Sequence, residues 1–474
     1  MPTKKNLTWQ SLTLMAFTVV WGFGNVVNGY ANQGLQIVVS WVLMFGLYFI
    51  PYALMVGELG AAFPESKGGV SSWIRSTCGA QLAFLAGWTY WVVHAPYLAQ
   101  KPQAILIAAS WATFQTGSIV KSMAPIILQS ACLLVFFFFL WFASKGISTI
   151  KKIGAVAGSS MFVMSILYII LTLAAPAISD VHTETINWSL DTFMPNFDFA
   201  YFTTLAILVF AVGGCEKISP YVNELEQPSK EFPRAMILMT IMVAITALLG
   251  SIAMGLMFDT NNVPRDLMMN GAYYAFEKLG AYYGVGSLFV VIYAIANMLG
   301  QMAALTFSID APIKIFLSDV DPRFVPKALL KMDEKGTPVI GYRLTAVIVG
   351  LLIIIPAFGI GDMTSLFNWL MRLNAVVMPM RYLWVFVAYM ALKKATEGLF
   401  HSDYQFTKNR SVGFGFGLWC FAFTAFACIM GIFPKDVEVY SSGWIFQFTL
   451  NILTPLILIG SGIILPKLAK KEQH

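Results

Sequence analysis

The sequence is short of charge. Only 11% of its 474 residues are Asp, Glu, Lys or Arg, where a soluble protein carries about a quarter. Cysteine is scarce too. Cys78, Cys132, Cys215, Cys420 and Cys428 are scattered with no CxxC or Cys/His ligand spacing, so neither a zinc site nor a disulfide framework is expected. There is no HExxH, no GxSxG and no carboxylate pair at helical spacing inside an apolar run, which removes the usual signatures of a membrane-embedded hydrolase. No cofactor motif and no signal of oligomeric state is present. What is abundant is apolar: 58% of the residues are hydrophobic. The expected class is an all-α polytopic membrane protein in contact with a lipid bilayer, and the net charge of +6 is assigned to its loops, not to nucleic-acid binding.

Twelve apolar runs are long enough to span, at residues 10–32, 37–62, 80–105, 122–143, 152–175, 200–221, 235–257, 283–308, 340–357, 364–390, 411–432 and 443–466. The first follows Lys4 and Lys5. It exceeds a signal h-region and shows no small-residue cleavage site, so it reads as a span. If both ends lie in the cytoplasm, 23 of the 30 Lys and Arg fall in inner segments, Lys217 among them. Four (Lys121, Arg265, Lys278 and Lys435) fall in outer ones, and Lys101, Arg372 and Arg381 fall within spans. That asymmetry predicts a multi-pass cytoplasmic-membrane protein with both termini inside.

Two spans are interrupted. The sixth carries Phe210-Ala211-Val212-Gly213-Gly214-Cys215-Glu216, and the first carries Trp21-Gly22-Phe23-Gly24-Asn25. Glycine leaves helical geometry readily, and an acid at membrane depth is costly, which makes it a pointer to function. Broken backbone is tolerated there only where protein or water covers it. Matched breaks five spans apart are the pointer to an inverted-repeat transporter. The repeats would be residues 10–175 and 200–390, with residues 411–466 as two added helices. A half-helix beginning at mid-membrane offers N–H groups and a positive dipole end; one ending there offers carbonyls. The N–H groups of Gly24, Asn25 and Val26 are therefore expected to hold a carboxylate. The carbonyls around Phe210, Ala211 and Val212, with those near Val20 and Trp21, are expected to hold an ammonium. The substrate class is a free α-amino acid or a derived amine.

After the sixth span comes Tyr221-Val222-Asn223-Glu224-Leu225-Glu226-Gln227-Pro228-Ser229-Lys230-Glu231-Phe232-Pro233-Arg234-Ala235. With Glu216, this resembles the Gly-x-Glu, Asn-Glu and Asn-Pro-x-Arg-x-x-Pro-x-Ala pattern of amino acid–polyamine–organocation transporters, with Gln227 and Lys230 replacing Asn and Arg. The second-span exit from Glu58 to Val70, Trp73-Ile74, Gly87-Trp88 and the Lys335-Gly336-Thr337-Pro338-Val339 lead are similar to that family as well. The resemblance covers essentially the whole chain. It implies a LeuT-like 5+5 fold, amino-acid substrates and alternating access by exchange or proton linkage. It places Gly22 and Gly24 at one unwound hinge, Gly214 at the other, Phe210 at an aromatic gate and Glu216 in proton-dependent release. The span-six tail and the Gly-Thr-Pro lead resemble the glutamate/γ-aminobutyrate exchangers more than the arginine/agmatine exchangers. Two departures stand out. Gly22-Phe23-Gly24-Asn25 replaces Gly-Ser-Gly-Ile, and Gly158-Ser159-Ser160-Met161 occupies the region where some proton-coupled members carry a mid-membrane Lys. The rival readings are a polytopic membrane enzyme and a channel or nutrient-sensing receptor on the same scaffold.

Three further polar residues sit inside spans. His94 is near mid-depth, where it is either a pH-sensing imidazole or a hydrogen-bonded core residue beside Pro96. Arg372 lies on the order of 12 Å deep in the tenth span. It is expected to neutralise Glu216, to receive an acidic substrate side chain, or to pair with Asp362 or a carbonyl. Asn297 and Gln301, one turn apart in the eighth span, border the site or bond between helices. Sodium coordination by Thr306 and Ser308 is not favoured, since both lie near the inner end of that span.

Overall fold

Apolar runs of this length leave the backbone no partner but itself, so they must coil. In the computed structural model, which describes residues 7–118, 122–145, 147–178, 183–259, 264, 266–333, 338–354, 363–396, 399–400, 402–434 and 438–472, they form helices throughout. Among the described residues nine helical stretches are long and apolar enough to cross a membrane, one of them the 54-residue stretch Trp9–Ala62; Val339–Ile354 is a shorter apolar helix. Asp362 and residues 334–337 lie outside the described residues, so neither the expected Asp362 partner of Arg372 nor most of the lead into the ninth span is described.

The first helices are α1 (Trp9–Val20), α2 (Phe23–Gln33), α3 (Ile37–Met44) and α4 (Ile50–Ala62). A π-helical turn, Phe45–Phe49, joins the last two. Its cause is Pro51, which cannot donate to the Leu47 carbonyl. That carbonyl accepts the Trp419 indole N–H instead, at 2.7 Å. After α5 (Val70–Cys78), the third apolar run is not one helix but two, α6 (Ala80–Val92) and α7 (Ala95–Phe114), with Val93 and His94 in the bend. Pro96 explains the division: it has no N–H to continue the ladder and fits only a first turn.

Next come α8 (Pro125–Ala143), α9 (Ile147–Ala174) and α10 (Phe199–Val212). A 3-10 segment, Cys215–Glu224, follows α10 and leads to α11 (Pro228–Met257). Then α12 (Leu267–Tyr282), α13 (Leu288–Leu317) and α14 (Val339–Ile354) follow. The tenth run is also divided: α15 (Met363–Val377) and α16 (Tyr382–Lys394) are separated by a 3-10 turn, Met378–Arg381, containing Pro379. The chain closes with α17 (Arg410–Gly431), α18 (Ser442–Gly460) and α19 (Ile464–Lys471).

The interrupted helices sit at the centre. α1 packs on α9, α11 and the 3-10 segment, α13 packs on α7 and α9, and α17 covers α10 and α16. Three charged clusters, two of them around buried carboxylates, tie the helices together. Glu58 accepts from Lys393 (2.6 Å), the Tyr389 hydroxyl (2.9 Å) and the Phe406 N–H (2.9 Å). Asp310 accepts from Tyr221 (2.6 Å) and Tyr342 (2.8 Å) and pairs with Lys314 (2.8 Å). Asp319 takes the Gly68 N–H (3.1 Å) and the Ser72 hydroxyl, while its carbonyl accepts from Arg75 (2.6 Å).

Candidate functional site

Both breaks are built from extended backbone flanked by glycine. α1 stops at Val20, and Trp21 and Gly22 are extended before α2 restarts at Phe23. α10 stops at Val212. Gly213 is extended, and Gly214 adopts φ +108°, a left-handed conformation that glycine takes without steric penalty. At Gly213 a Cβ would come within 2.2 Å of the Tyr382 ring, so no larger residue fits there. The two breaks meet through Asn25. Its side-chain amide donates to the Val20 carbonyl (3.2 Å) and to the Ala211 carbonyl (3.1 Å), bridging one break to the other. Its backbone N–H closes on the Gly22 carbonyl at 2.9 Å and so is not free to hold a carboxylate.

Beside the breaks lies a cavity of about 150 Å³, well above the space that a single water needs. Of the residues proposed from the sequence, Gly22, Gly24, Asn25, Phe210 and Asn297 line it. Val26, Ala211, Val212 and Gly214 are buried off its wall. Val26 packs against Gly250, and Ala211 contributes only the carbonyl that Asn25 occupies.

Glu216 is also off the wall and fully buried. Tyr52 donates to one carboxylate oxygen and Tyr90 to the other (2.7 Å). The guanidinium Nε that faces it, at 3.0 Å, belongs to Arg381. Of the alternatives for Arg372, neutralising Glu216 is therefore overturned; Arg372 lines a smaller cavity with Asn32, Thr203, Gln447 and Asn451. The signal overlooked was Pro379. It divides the tenth run immediately before Arg381, and the resulting turn brings that side chain to Glu216. Arg381 also stacks on the rings of Tyr90 and Tyr382, at 5.0 and 4.9 Å, and bonds to His94 Nε2. His94 Nδ1 lies 2.7 Å from the Tyr90 carbonyl. A carbonyl only accepts, so Nδ1 carries the proton and Nε2 receives the guanidinium N–H. His94 is thus a buried support behind Arg381 and not part of the cavity wall.

Lys217 is a second correction. It was counted with the inner-loop cations, yet it is buried in the 3-10 segment. The reversal at Gly214 turns the chain inward, and Lys217 Nζ donates to the Ser308 hydroxyl at 3.1 Å while lying 5.0 Å from the Tyr97 ring centre. Lys101 Nζ lies 4.5 Å from the same ring centre and donates to Gln301 at 2.7 Å. The cavity wall therefore carries Lys101, Lys217 and Arg381, and no carboxylate among the described residues. Only Arg381 has an acidic partner among these contacts; Lys101 and Lys217 rest on an amide and a hydroxyl. A pocket of that sign stabilises an anion, because cations held in a low-dielectric wall make strong charge-assisted hydrogen bonds.

The chain is similar to known transporters. The aspartate/glutamate permease AcaP of Lactococcus lactis subsp. cremoris is 52% identical over 477 aligned residues, covering all of this chain and 97% of the relative. The inner membrane transporter YjeM of Escherichia coli is 24% identical, over 82% of each chain. A glutamate/gamma-aminobutyrate antiporter of Lactococcus lactis subsp. lactis is 25% identical, over 90% of this chain and 85% of its own. These relatives carry the names of transporters, not of enzymes. The amino acid permease family profile matches residues 7–457. The chain belongs to the amino acid permease family, within the amino acid–polyamine–organocation transporters.

Proposed function

We propose that this protein is a secondary transporter of acidic amino acids, aspartate or glutamate, working by alternating access across the cytoplasmic membrane. The observation that carries this reading is the cavity wall: three cationic side chains and no carboxylate among the described residues, beside two helix breaks. A free dicarboxylic amino acid bears two carboxylates and one ammonium. Its net negative charge matches Lys101 and Lys217, whose bonded partners on the wall are neutral. The name of the AcaP relative points the same way.

In this reading the α-carboxylate lies at the start of α2 near Gly24, and the ammonium approaches the carbonyl ends of α1 and α10. The Asn25 amide already uses the Val20 and Ala211 carbonyls, so the ammonium shares them or takes neighbours such as Phe210. Glu216 is the proton-coupling residue. Its protonation would release Arg381, which lines the cavity, to meet the substrate. Exchange and proton symport both fit this linkage.

The scaffold proposed is twelve spans with both termini cytoplasmic. Two crossings share the 54-residue stretch, α6 with α7 supplies another, and α14 another beyond the remaining long helices. Residues 10–175 and 200–390 would be the inverted repeats and residues 411–466 the added pair. The charged clusters at Glu58, Asp310 and Asp319 then close the inner side.

Counterflow in liposomes tests the function. With unlabelled aspartate inside, labelled aspartate should accumulate and saturate, and labelled arginine should not. Absence of saturable flux for any amino acid, with binding retained, would make the protein a receptor.

A further inference from the structure

Resting on the acidic-substrate reading, we infer that Lys101 is the residue that selects a side-chain carboxylate over a side-chain amide. The cavity's three cations are not equivalent. Arg381 faces Glu216 at 3.0 Å, so its charge is already met. Lys217 is buried on Ser308, in the segment that forms the second break. Lys101 stands apart on α7 and is only partly buried, with its ammonium at the wall.

A directional chain begins at Lys101. Its Nζ donates to Gln301 Oε1 (2.7 Å), Gln301 Nε2 donates to Asn297 Oδ1 (3.1 Å), and Asn297 Nδ2 donates to the Tyr273 hydroxyl (2.8 Å). All four residues line the cavity. Each amide has its oxygen turned toward the donor before it and its nitrogen toward the acceptor after it. The order is fixed at one end, because an ammonium can only donate. The Tyr273 oxygen accepts at the other end, so its own proton is left to donate. Lys101 spends one of three N–H groups on Gln301 and keeps two.

The consequence is that this side of the wall presents donors. The Gln301 and Asn297 oxygens, the acceptors that would have greeted an –NH₂ group, are already engaged. A side-chain carboxylate accepts from Lys101 and Tyr273 with nothing left over. Held against this chain, the amide of asparagine or glutamine would turn its nitrogen toward oxygens already engaged, since the unpaired Asn28 Oδ1 on the wall is not one of the chain's members, and a site built to donate disfavours such a group. The charge of Lys101 adds to the discrimination, since hydrogen bonds to ionised groups are roughly twice as strong as neutral ones.

The test is the ratio of kcat/KM for aspartate to that for asparagine, measured in proteoliposomes with wild type, Lys101→Gln, Lys101→Arg and Gln301→Leu. Wild type should favour aspartate. Lys101→Gln should lower the ratio ~10- to 100-fold, the loss typical of one charge-assisted hydrogen bond. Lys101→Arg should keep most of it. Gln301→Leu should lower it by a smaller factor, by freeing Asn297 to turn its oxygen inward. An unchanged ratio in Lys101→Gln overturns the inference while leaving the acidic reading in place. Wild type that carries asparagine but not aspartate overturns the acidic reading itself. If Lys101→Gln does not reach the membrane, the other two variants decide: retention in Lys101→Arg with a fall in Gln301→Leu supports the assignment, and no fall in Gln301→Leu overturns it.

Discussion

The side-chain amide of Asn25 reaches the Ala211 carbonyl, 186 residues away in sequence, at 3.1 Å, while also holding the Val20 carbonyl at 3.2 Å. One residue of the first break therefore completes the carbonyl ends of both. Asn25→Ala should leave these two acceptors to water or substrate. The expected result is a fall in melting temperature corresponding to about 1–2 kcal/mol, with weaker substrate binding. Calorimetry with and without aspartate checks both parts, and an unaltered melting temperature would show the bridge to be dispensable.

Gly24 offers a cleaner probe of the cavity. A Cβ there meets nothing within 4 Å, so a larger side chain is accommodated by the fold and extends into open space. Gly24→Leu should abolish detectable aspartate binding, a loss of more than about tenfold, while the unfolding transition stays near wild type. Isothermal titration of the purified variant reads this directly. Retained affinity would move the α-carboxylate away from the start of α2.

Glu216→Gln removes the acidic partner of a buried guanidinium. Breaking such a pair costs about 3–5 kcal/mol, moderated here because Tyr52, Tyr90 and His94 still contact the two side chains. With Arg381 uncompensated, anionic substrate should bind more tightly and leave more slowly. Uptake should also lose its dependence on pH, measured as initial rates across a pH series. A profile that matches wild type would take Glu216 out of the coupling role.

Lys393→Met addresses the Glu58 cluster. Glu58 is 3% exposed and would keep Tyr389 and the Phe406 N–H but lose its counter-charge. The predicted cost is about 3–5 kcal/mol. The double variant Glu58→Gln, Lys393→Met should recover part of it, as a thermal double-mutant cycle would show. Additive losses would mean that the pair does not act as a unit.

The stops of α1 and α10 were legible because they are written in local chemistry: Gly22, Gly213 and Gly214 lie where those helices end. Pro51, Pro96 and Pro379 sit at the other irregular turns, but a proline inside an apolar run does not by itself say whether the helix continues past it. Facing was harder. Arg372 and Arg381 both read as arginines inside the tenth run, and depth alone does not say which one turns toward Glu216. That choice rests on the 3-10 turn at Met378–Arg381. Lys217 follows Glu216 at the end of an apolar run and so looked like a loop cation. Only the inward reversal after Gly214 carries it onto Ser308. The amide chain from Lys101 to Tyr273 joins three helices far apart in sequence, and such pairings leave no local trace.

The Trp419 indole on the Leu47 carbonyl has a bearing on how much of this polypeptide can be dispensed with. A version cut short ahead of Arg410 would strip that oxygen of its donor and present it to acyl chains, at a cost of several kcal/mol. The last helices thus serve as a splint for the bulge in the second, which is reason to expect that a ten-helix truncation would not assemble stably.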